Sequence, residues 1–353
     1  AFMEDTAQLG IKPATQNPRV INYMDEIIAF VSILIDKGFA YVSEGDVYFR
    51  VTKSNNYAKL ANKTLEDLEI GASGRTDAET DRKEDPLDFA LWKAAKEGEI
   101  SWESPWGPGR PGWHIECSVM ATEILGDTID IHGGGVDLEF PHHTNEIAQS
   151  EAKTGKTFAN YWMHNGFVNV DNEKMSKSLG NFVTVHDMLK TVDGQVLRFF
   201  LATQQYRKPI NFTEKAIHDA EVNLKYLKNT HSLPLTEEVS QAELQAYLDA
   251  FQAAMDDDFN TANGVTVLFD MAKWINSGNY DETVKNAFEK ILQVFGIVFE
   301  EETLDEDIEK LIEERQAARA NKDFATADRI RDELAAQGIK LLDTKEGVRW
   351  TRD

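Results

Sequence analysis

The fold class of this chain is decided by the stretch Ile129-Asp130-Ile131-His132-Gly133-Gly134-Gly135. Its apolar residues predict a buried strand that runs directly into three glycines. Open α/β sheets bind nucleotides at the carboxyl ends of their strands, where glycine lets a ligand approach the backbone. Apolar residues at helical spacing precede the strand over Trp113–Leu125, and a further helix is predicted over residues 146–153. The sequence therefore predicts an α/β core with a ligand site at the end of this strand.

A second stretch suits the binding of a polyphosphate: Lys174-Met175-Ser176-Lys177-Ser178, followed by Leu179-Gly180-Asn181. Two ammonium groups flank a hydroxyl on a short loop that Gly180 closes. Phosphoryl and nucleotidyl transfers depend on positioning and on stabilising spread negative charge, which mobile lysines provide. The alternative is a solvated basic turn, since most short Lys/Ser runs are of that kind.

Three residues carry potential metal ligands: Cys117, His142 and Glu146. His142 and Glu146 are four residues apart, so on a helix they project from the same face. A thiolate, an imidazole and a carboxylate are suitable ligands for tetrahedral Zn²⁺, whose fourth position is open to protein or substrate. Taken alone, these residues fit two explanations equally well. One is a metal site, and the other is a cysteine in the core together with a surface ion pair between His142 and Glu146.

The composition limits the class of protein. With 353 residues the chain has room for two or three domains. It has no apolar run long enough to span a bilayer and no signal-like N-terminus. Its one cysteine excludes an internal disulfide and fits a reducing compartment, so we expect a cytoplasmic protein. The net charge of −24 argues against a general nucleic-acid binder, but a local basic strip and shape complementarity still allow RNA recognition.

The order of the motifs resembles that of one enzyme family. Upstream of the lysine stretch lie Gly112-Trp113-His114-Ile115-Glu116-Cys117 and Phe140-Pro141-His142-His143-Thr144-Asn145-Glu146. The lysine stretch resembles the second signature of the class I aminoacyl-tRNA synthetases. The upstream motifs are similar to those of the cysteine-specific branch of that family. The resemblance runs from the first residue to the last. It implies an α/β Rossmann-like catalytic core with a connective insertion, followed by an α-helical bundle and a small α+β C-terminal module.

The resemblance fails at the beginning of the chain, which opens at Ala1-Phe2-Met3-Glu4-Asp5. Class I synthetases begin with a strand and a His-x-Gly-His signature that holds the ATP phosphates from the other side. In the family, a cysteine near that signature supplies a further zinc ligand. This sequence contains neither the signature nor that cysteine. We therefore expect the core to be incomplete at its N-terminus and the chain by itself to be inactive.

By resemblance, the chain divides into six parts. They are residues 1–25, the remainder of the first Rossmann half; 26–105, a connective insertion; 106–165, the second Rossmann half with the zinc site; 166–220, the KMSKS loop and a stem-contact region; 221–304, a helical bundle; and 305–353, an anticodon-binding module.

Periodicity predicts the remaining elements. Helices are expected over residues 20–37, 185–198, 214–227 and, almost continuously, 241–299, with Gly264 and Gly278 as interruptions. A strand hairpin is expected around Gly45-Asp46. The tail is expected to form a helix over residues 325–336 and a second hairpin.

The resemblance also assigns roles at the amino-acid site. Cys117, His142 and Glu146 are implied ligands of one Zn²⁺ per subunit, which also binds the sulfur of substrate cysteine. A pocket without metal separates amino acids that differ by a small group by only about 1–3 kcal/mol, whereas zinc favours a thiolate over a hydroxyl. Trp113 is implied to wall the pocket, with a core aromatic as the alternative. His132 is implied to contact substrate or to orient a ligand.

The nucleotide is expected at the strand end and at the lysine loop. The implied ATP-binding residues are Gly135, Asp137, Met163, Lys174, Ser176 and Lys177. Gly135 permits close approach and Asp137 binds ribose hydroxyls, although a helix N-cap is the competing role for Asp137. Lys174 and Lys177 are the implied catalytic residues, and Mg²⁺ accompanies ATP.

The expected function is the ATP-dependent activation of L-cysteine to cysteinyl-adenylate and its transfer to tRNA(Cys), by a monomer without membrane contact. One alternative is a paralogue that joins cysteine to an amino sugar, which the terminal module argues against. Another is a non-catalytic tRNA-binding or regulatory fragment. A zinc hydrolase is remote, because His-x-x-x-Glu lacks the second histidine and catalytic glutamate of protease helices.

Overall fold

In the computed structural model of the protein, the glycine-rich stretch forms the strand Ile129–Gly135, which pairs in parallel with Ala159–Asn165. The register places His132 opposite Trp162. The helix Thr144–Thr154 lies in the connection, as a parallel pair requires a long crossover. This strand–helix–strand unit is the α/β element that the sequence predicts. The predicted burial of the first strand is wrong, because Ile129 is buried but Ile131 is 56% exposed.

The structure describes residues 1–55, 57–63, 82–176, 178, 180–237, 239–299, 306–344 and 347–352. The helices are α1 (Phe2–Gln8), α2 (Met24–Asp36), α3 (Trp113–Leu125), α4 (Thr144–Thr154), α5 (Val185–Met188), α6 (Gly194–Ala202), α7 (Glu214–His231), α8 (Gln241–Asp256), α9 (Thr261–Asn276), α10 (Glu282–Val294), α11 (Glu306–Ala320) and α12 (Phe324–Ala336). The strands are β1 (Ala40–Ser43), β2 (Asp46–Phe49), β3 (Phe89–Ala94), β4 (Gly109–Pro111), β5 (Ile129–Gly135), β6 (Ala159–Asn165), β7 (Val168–Val170), β8 (Glu173–Lys174), β9 (Ile210–Phe212), β10 (Ile339–Thr344) and β11 (Gly347–Arg352). They form two compact units, Ala1–Ile297 and Val298–Asp353.

An antiparallel sheet in the order β1-β2-β3-β4 supports the helices that carry the candidate ligands. Its side chains share one buried core with α2, α3 and α4. Fully buried members include Phe30 of α2, Trp92 of β3 and Ile115 of α3. Because α3 and α4 pack on the same core, the residues they present on their facing sides are held at fixed positions.

The lysine stretch begins at the edge of a small sheet. Strand β7 pairs in parallel with β9 and antiparallel with β8, which contains Lys174. Asp171 and Asn172, both with positive φ, make the tight turn between β7 and β8. The loop after β8 is therefore anchored on one side by a hairpin.

Two predictions about the helices are wrong. The stretch 185–198 is not one helix, because α5 ends at Met188 and Asp193 begins α6 by accepting hydrogen bonds from the backbone N–H of Gln195 and Val196. Gly264 does not interrupt the helical region but lies inside α9, where a Cβ would be 3.2 Å from the ring of Phe251. The close packing of α9 against Phe251 explains why a glycine occupies this position.

The second unit has a small core of its own. Helices α11 and α12 and the hairpin β10–β11 bury the residues Ile308, Ile312, Ile330, Leu334 and Ile339. The predicted helix and hairpin are both present, although residues 345 and 346 at the predicted turn lie outside the described part of the chain. In the described residues, none of the helices combines the length and apolar character needed to cross a bilayer.

Candidate functional site

The structure brings together the three residues that the sequence nominates as metal ligands. Cys117 lies on α3, Glu146 in the first turn of α4, and His142 in a short helical segment, Glu139–His143, just before α4. One ligand atom from each residue lies within 4.8 Å of the other two. His142 and Glu146 are buried and Cys117 is half-buried. The set combines one sulfur, one nitrogen and one oxygen donor.

The carboxylate of Glu146 is fully buried, at 0% exposure. Its oxygens lie 3.0 Å from Nε2 of His142 and 3.1 Å from Nε2 of His132. Neither contact is aligned as a hydrogen bond, so among the described residues both oxygens lack a hydrogen-bond partner. Burial acts to raise the pKa of Glu146, but the two neighbouring imidazoles outweigh it and lower the pKa to about 2. A buried anion with unsatisfied oxygens is what a cation would stabilise.

The thiol of Cys117 is held in its protonated form when no cation is bound. Burial, followed by the carboxylates of Glu146 and Glu116, raises the pKa of Cys117 to about 12. A free nucleophilic cysteine would need a lowered pKa. A coordinated dication deprotonates the thiol directly. The surroundings of Cys117 therefore fit a metal ligand better than a reactive thiol.

A second group of side chains surrounds the other oxygen of Glu146. His132, His143 and Glu146 form another set of three whose ligand atoms lie within 4.8 Å of one another. Nδ1 of His143 is 2.8 Å from Nε2 of His164. The ring of Trp162 meets His132 edge-on at 4.9 Å between centroids. Because both sets use Glu146, they form one continuous polar site.

Trp113 stands at the rim of the ligand set. Its side chain is 58% exposed, so it is not a core aromatic. Its ring lies 4.3 Å, centroid to centroid, from that of His142. The neighbouring His114 places Nδ1 2.8 Å from Nδ1 of His142. An exposed aromatic face next to a buried ligand is well placed to contact a small molecule that reaches the site.

The side chain of Asp137 lies against the end of the strand beside these residues. A Cβ at Gly135 would lie 2.4 Å from Oδ1 of Asp137, so only glycine allows this carboxylate to fold back over the end of β5. Asp137 is exposed and caps none of the described helices. Met163 pairs with Gly133 in the adjacent strand. Three of the six predicted nucleotide residues, Gly135, Asp137 and Met163, thus lie in or beside this pair of strands.

The lysine loop is organised by Asn181. Its side-chain oxygen accepts the backbone N–H of Ser176 at 2.9 Å, and its amide donates to the carbonyl of Lys174 at 3.3 Å. The exposed ammonium of Lys174 lies 4.2 Å from the ring centre of Phe167. The other predicted catalytic lysine, Lys177, lies outside the described residues. Asn181 thus closes a loop that presents Lys174 and Ser176 together.

The structure places three histidines at the site that were not predicted there: His114, His143 and His164. They join His132 and His142, so that five of the chain's eight histidines gather here. A signal existed for His114, because it precedes Cys117 by three residues on a predicted helix and so lies one turn away. The contact of His164 depends on strand pairing, which spacing does not reveal.

Three family models match successive parts of the chain. Residues 1–222 match the family model for the class I (C) tRNA synthetase catalytic domain, residues 250–300 the DALR domain, and residues 301–350 the cysteinyl-tRNA ligase anticodon-binding domain. The chain is 99% identical to a cysteine–tRNA ligase of Streptococcus thermophilus and 80% identical to one of Streptococcus agalactiae. Both matches cover 100% of this chain and 79% of the relative.

A solved structure supports the fold. Methionyl-tRNA synthetase of Mycobacterium tuberculosis, in complex with methionyl-adenylate, is similar with a TM-score of 0.56 at 15% identity, over 83% of this chain and 74% of that one. At that identity the likeness concerns the fold alone, which is a Rossmann-type core followed by helices. The matching catalytic domain and the close relatives lead to one conclusion: the chain belongs to the cysteine–tRNA ligase family of class I tRNA synthetases.

Proposed function

We propose that this chain belongs to an enzyme that activates L-cysteine with ATP and transfers it to tRNA(Cys) in the cytoplasm, and that it selects the thiol through a bound zinc ion. The observation that carries the proposal is the meeting of Cys117, His142 and Glu146 beneath the exposed ring of Trp113. Family membership supports the ligase activity, since the relatives are named cysteine–tRNA ligases.

Cys117, His142 and Glu146 would hold the zinc, one ion per subunit. The fit is supported by the two unsatisfied, buried oxygens of Glu146 and by a mixed sulfur, nitrogen and oxygen donor set. Zinc bound there would supply a soft Lewis acid that favours the substrate thiolate over the hydroxyl of serine. Nε2 of His132 lies 3.1 Å from the second oxygen of Glu146, and we assign this histidine to contact with the substrate.

The amino acid enters beside Trp113, whose ring covers His142 and leaves a face to solvent. A wall of this kind excludes water and fixes the side chain of a small substrate. A hydrophobic pocket by itself discriminates by only about 1–3 kcal/mol between such close analogues. The zinc site would therefore select for a sulfur atom in the substrate, and Trp113 would limit the size of the substrate side chain.

ATP lies along the edge formed by Gly133 to Gly135, at the carboxyl end of β5. Asp137 binds the ribose hydroxyls and Met163 flanks the adenine. The loop that Asn181 closes brings Lys174 and Ser176 to the phosphates, and Lys177 belongs to the same stretch. Mg²⁺ accompanies ATP and shares the neutralisation of the triphosphate with the lysines.

The first step is attack of the cysteine carboxylate on the α-phosphate, with pyrophosphate as leaving group. Lys174 and Lys177 stabilise the charge that spreads over the phosphates in this transition state. In the second step the terminal ribose hydroxyl of the tRNA attacks the activated carbonyl and releases AMP. The chain supplies positioning and charge in both steps, and no side chain is required as a dedicated general base.

The tRNA is held by the parts that follow the catalytic region. We assign the helices after residue 220 to the inside corner of the tRNA and residues 305–353 to the anticodon. The match of residues 301–350 to an anticodon-binding domain supports tRNA over an amino sugar as the acceptor. We further propose that the enzyme acts as a monomer.

The test is amino-acid-dependent exchange between ATP and pyrophosphate, followed by tRNA charging, with protein produced from the complete reading frame. The proposal expects exchange with cysteine, very little with serine, and transfer of cysteine to tRNA(Cys). A folded, zinc-loaded protein that catalyses no exchange with cysteine would contradict it. Transfer to an amino sugar with no transfer to tRNA would establish the paralogue activity instead.

A further inference from the structure

The two ring nitrogens of His142 face different partners. Nε2 lies 3.0 Å from Oε1 of Glu146, on the side of the ligand set. Nδ1 lies 2.8 Å from Nδ1 of His114. A neutral imidazole has one N–H and one lone pair, so the partner of one nitrogen determines what the other can do. The contact with His114 therefore bears directly on whether Nε2 is free to bind a metal.

We infer that His114 is a positioning residue of the metal centre, which accepts the Nδ1–H of His142 and so keeps the lone pair of His142 on Nε2. The inference depends on the proposed zinc site, since it assigns a task to a residue that does not itself reach the ligand set. His114 must then present a lone pair at Nδ1 and carry its own proton on Nε2. Partners of ligating histidines commonly fix tautomer and ring orientation in this way.

The surroundings of His114 hold its ring for this contact. The ring meets Phe89 edge-on at 5.7 Å between centroids and lies 5.4 Å from the ring of Trp113. His114 is also on α3, three residues before Cys117. The helix that carries the thiol thus also carries the acceptor for the imidazole, so a shift of α3 would move both together.

Two substitutions separate the hydrogen bond from simple packing. In H114N the amide oxygen takes nearly the place of the ring Nδ1 and still accepts a hydrogen bond. In H114L the side chain fills a similar volume without any acceptor, and Nδ1–H of His142 is left buried and unpaired. His186, which is exposed on α5 and faces Asp5, provides the matched control H186L.

The experiment measures the zinc dissociation constant of the protein produced from the complete reading frame, and of each variant, by competition with a chromophoric chelator. Loss of a partner to a ligating histidine weakens metal binding by about 10–100-fold, which we expect for H114L. H114N and H186L should bind zinc with nearly the affinity of the unchanged chain. Equal affinity in H114L, or an equal loss in H114N and H114L, would overturn the inference.

A second measurement requires no variant. Long-range ¹H–¹⁵N correlation spectra of the zinc-loaded protein report which ring nitrogen of each histidine carries the proton. The inference expects the proton on Nδ1 of His142 and on Nε2 of His114, and the opposite pair of tautomers would refute it. If the unchanged chain takes up no zinc, the proposed metal site fails and this inference falls with it. If the protein binds zinc and H114L leaves its zinc affinity unchanged, the inference about His114 is refuted while the proposed metal site stands.

Discussion

Nε2 of His132 lies 3.1 Å from Oε2 of Glu146, the carboxylate oxygen that His142 does not contact. The carboxylate is thus placed between two imidazoles that come from different elements, β5 and the segment before α4. Since Glu146 is fully buried and its pKa is lowered to about 2, the folded chain holds an anion in its interior. This local charge is the physical basis of the metal-centre proposal.

Removing that charge should remove the metal. In Glu146→Gln the size is kept but the anion is replaced by an amide, which is a poor zinc ligand. We expect zinc affinity to fall by more than about 100-fold, since a direct ligand should matter more than its outer partners. Chelator competition measures this. The control is Glu123→Gln on α3, an exposed carboxylate 3.8 Å from Lys153. Undiminished binding by the Glu146 variant would show that this carboxylate is not a ligand.

Zinc binding should depend on pH through Cys117. Because the pKa of this thiol is raised to about 12, the metal-free chain keeps it protonated across the neutral range, and binding must displace its proton. Affinity should therefore rise by about tenfold per pH unit between about pH 7 and 9, because one thiol proton is released for each zinc ion bound. Isothermal titration in buffers of different ionisation enthalpy counts the released proton. Cys117→Ser should bind zinc weakly and lose this slope, and a pH-independent affinity of the unchanged chain would contradict the thiol as ligand.

Substitutions in the lysine loop should slow the activation of cysteine without changing zinc binding. Lys177→Ala, and to a lesser degree Lys174→Ala, should slow cysteine-dependent pyrophosphate exchange, by about 10²–10³-fold for the loss of one charge-stabilising donor. Lys190→Ala serves as the control, because that lysine is exposed and paired with Asp187 at 2.6 Å. Zinc content should remain unchanged in all three variants. Normal exchange in Lys177→Ala would exclude the loop from catalysis.

A methyl group at Gly135 should disturb nucleotide binding. The new Cβ would lie 2.4 Å from Oδ1 of Asp137, so this flexible side chain must swing away, which costs the fold little. We expect Gly135→Ala to raise KM for ATP while thermal stability and zinc content stay near those of the unchanged chain. Asp137→Asn should give a similar but smaller effect. An unchanged KM for ATP in both variants would remove Asp137 from the proposed ATP site.

The two compact units should divide the two steps of the reaction. Deleting residues 306–353 removes most of the second unit, whose core Ile308, Ile330 and Leu334 belong to that unit alone. Cysteine activation should survive the deletion, whereas charging of tRNA(Cys) should fall severely because the anticodon contacts are lost. Pyrophosphate exchange and aminoacylation, measured side by side, distinguish the outcomes. Equal losses in both assays would contradict this division.

Much of the site could be predicted from the sequence because it depends on residues that are close together in the chain. The helix Trp113–Leu125 and the strand before the glycines follow directly from apolar spacing. His142 and Glu146 are separated by one helical turn, so their meeting needed only the helix. The break between α5 and α6 was missed although Asp193 is a strong N-cap residue, because periodicity shows which face is apolar and not where a helix ends.

Other features depend on tertiary structure and leave no mark in spacing. The contact between His114 and His142 joins residues 28 positions apart, on two elements that meet only after the core has packed. The place of Gly264 inside α9 is set by the ring of Phe251 on another helix. In both cases the deciding neighbour comes from a different element, so no local pattern could have identified it.

The central claim is that a metal held by Cys117, His142 and Glu146 binds the sulfur of the substrate. Its most direct test is the absorption spectrum of the chain loaded with Co²⁺ in place of zinc, titrated with cysteine and then with serine. If the metal binds the substrate sulfur, adding cysteine should increase the thiolate-to-cobalt charge-transfer absorption and adding serine should not. Before any substrate is added, Cys117→Ser should show weaker charge-transfer absorption than the unchanged chain. A spectrum that cysteine leaves unchanged, in a chain that has bound the metal, would contradict direct recognition of the thiol.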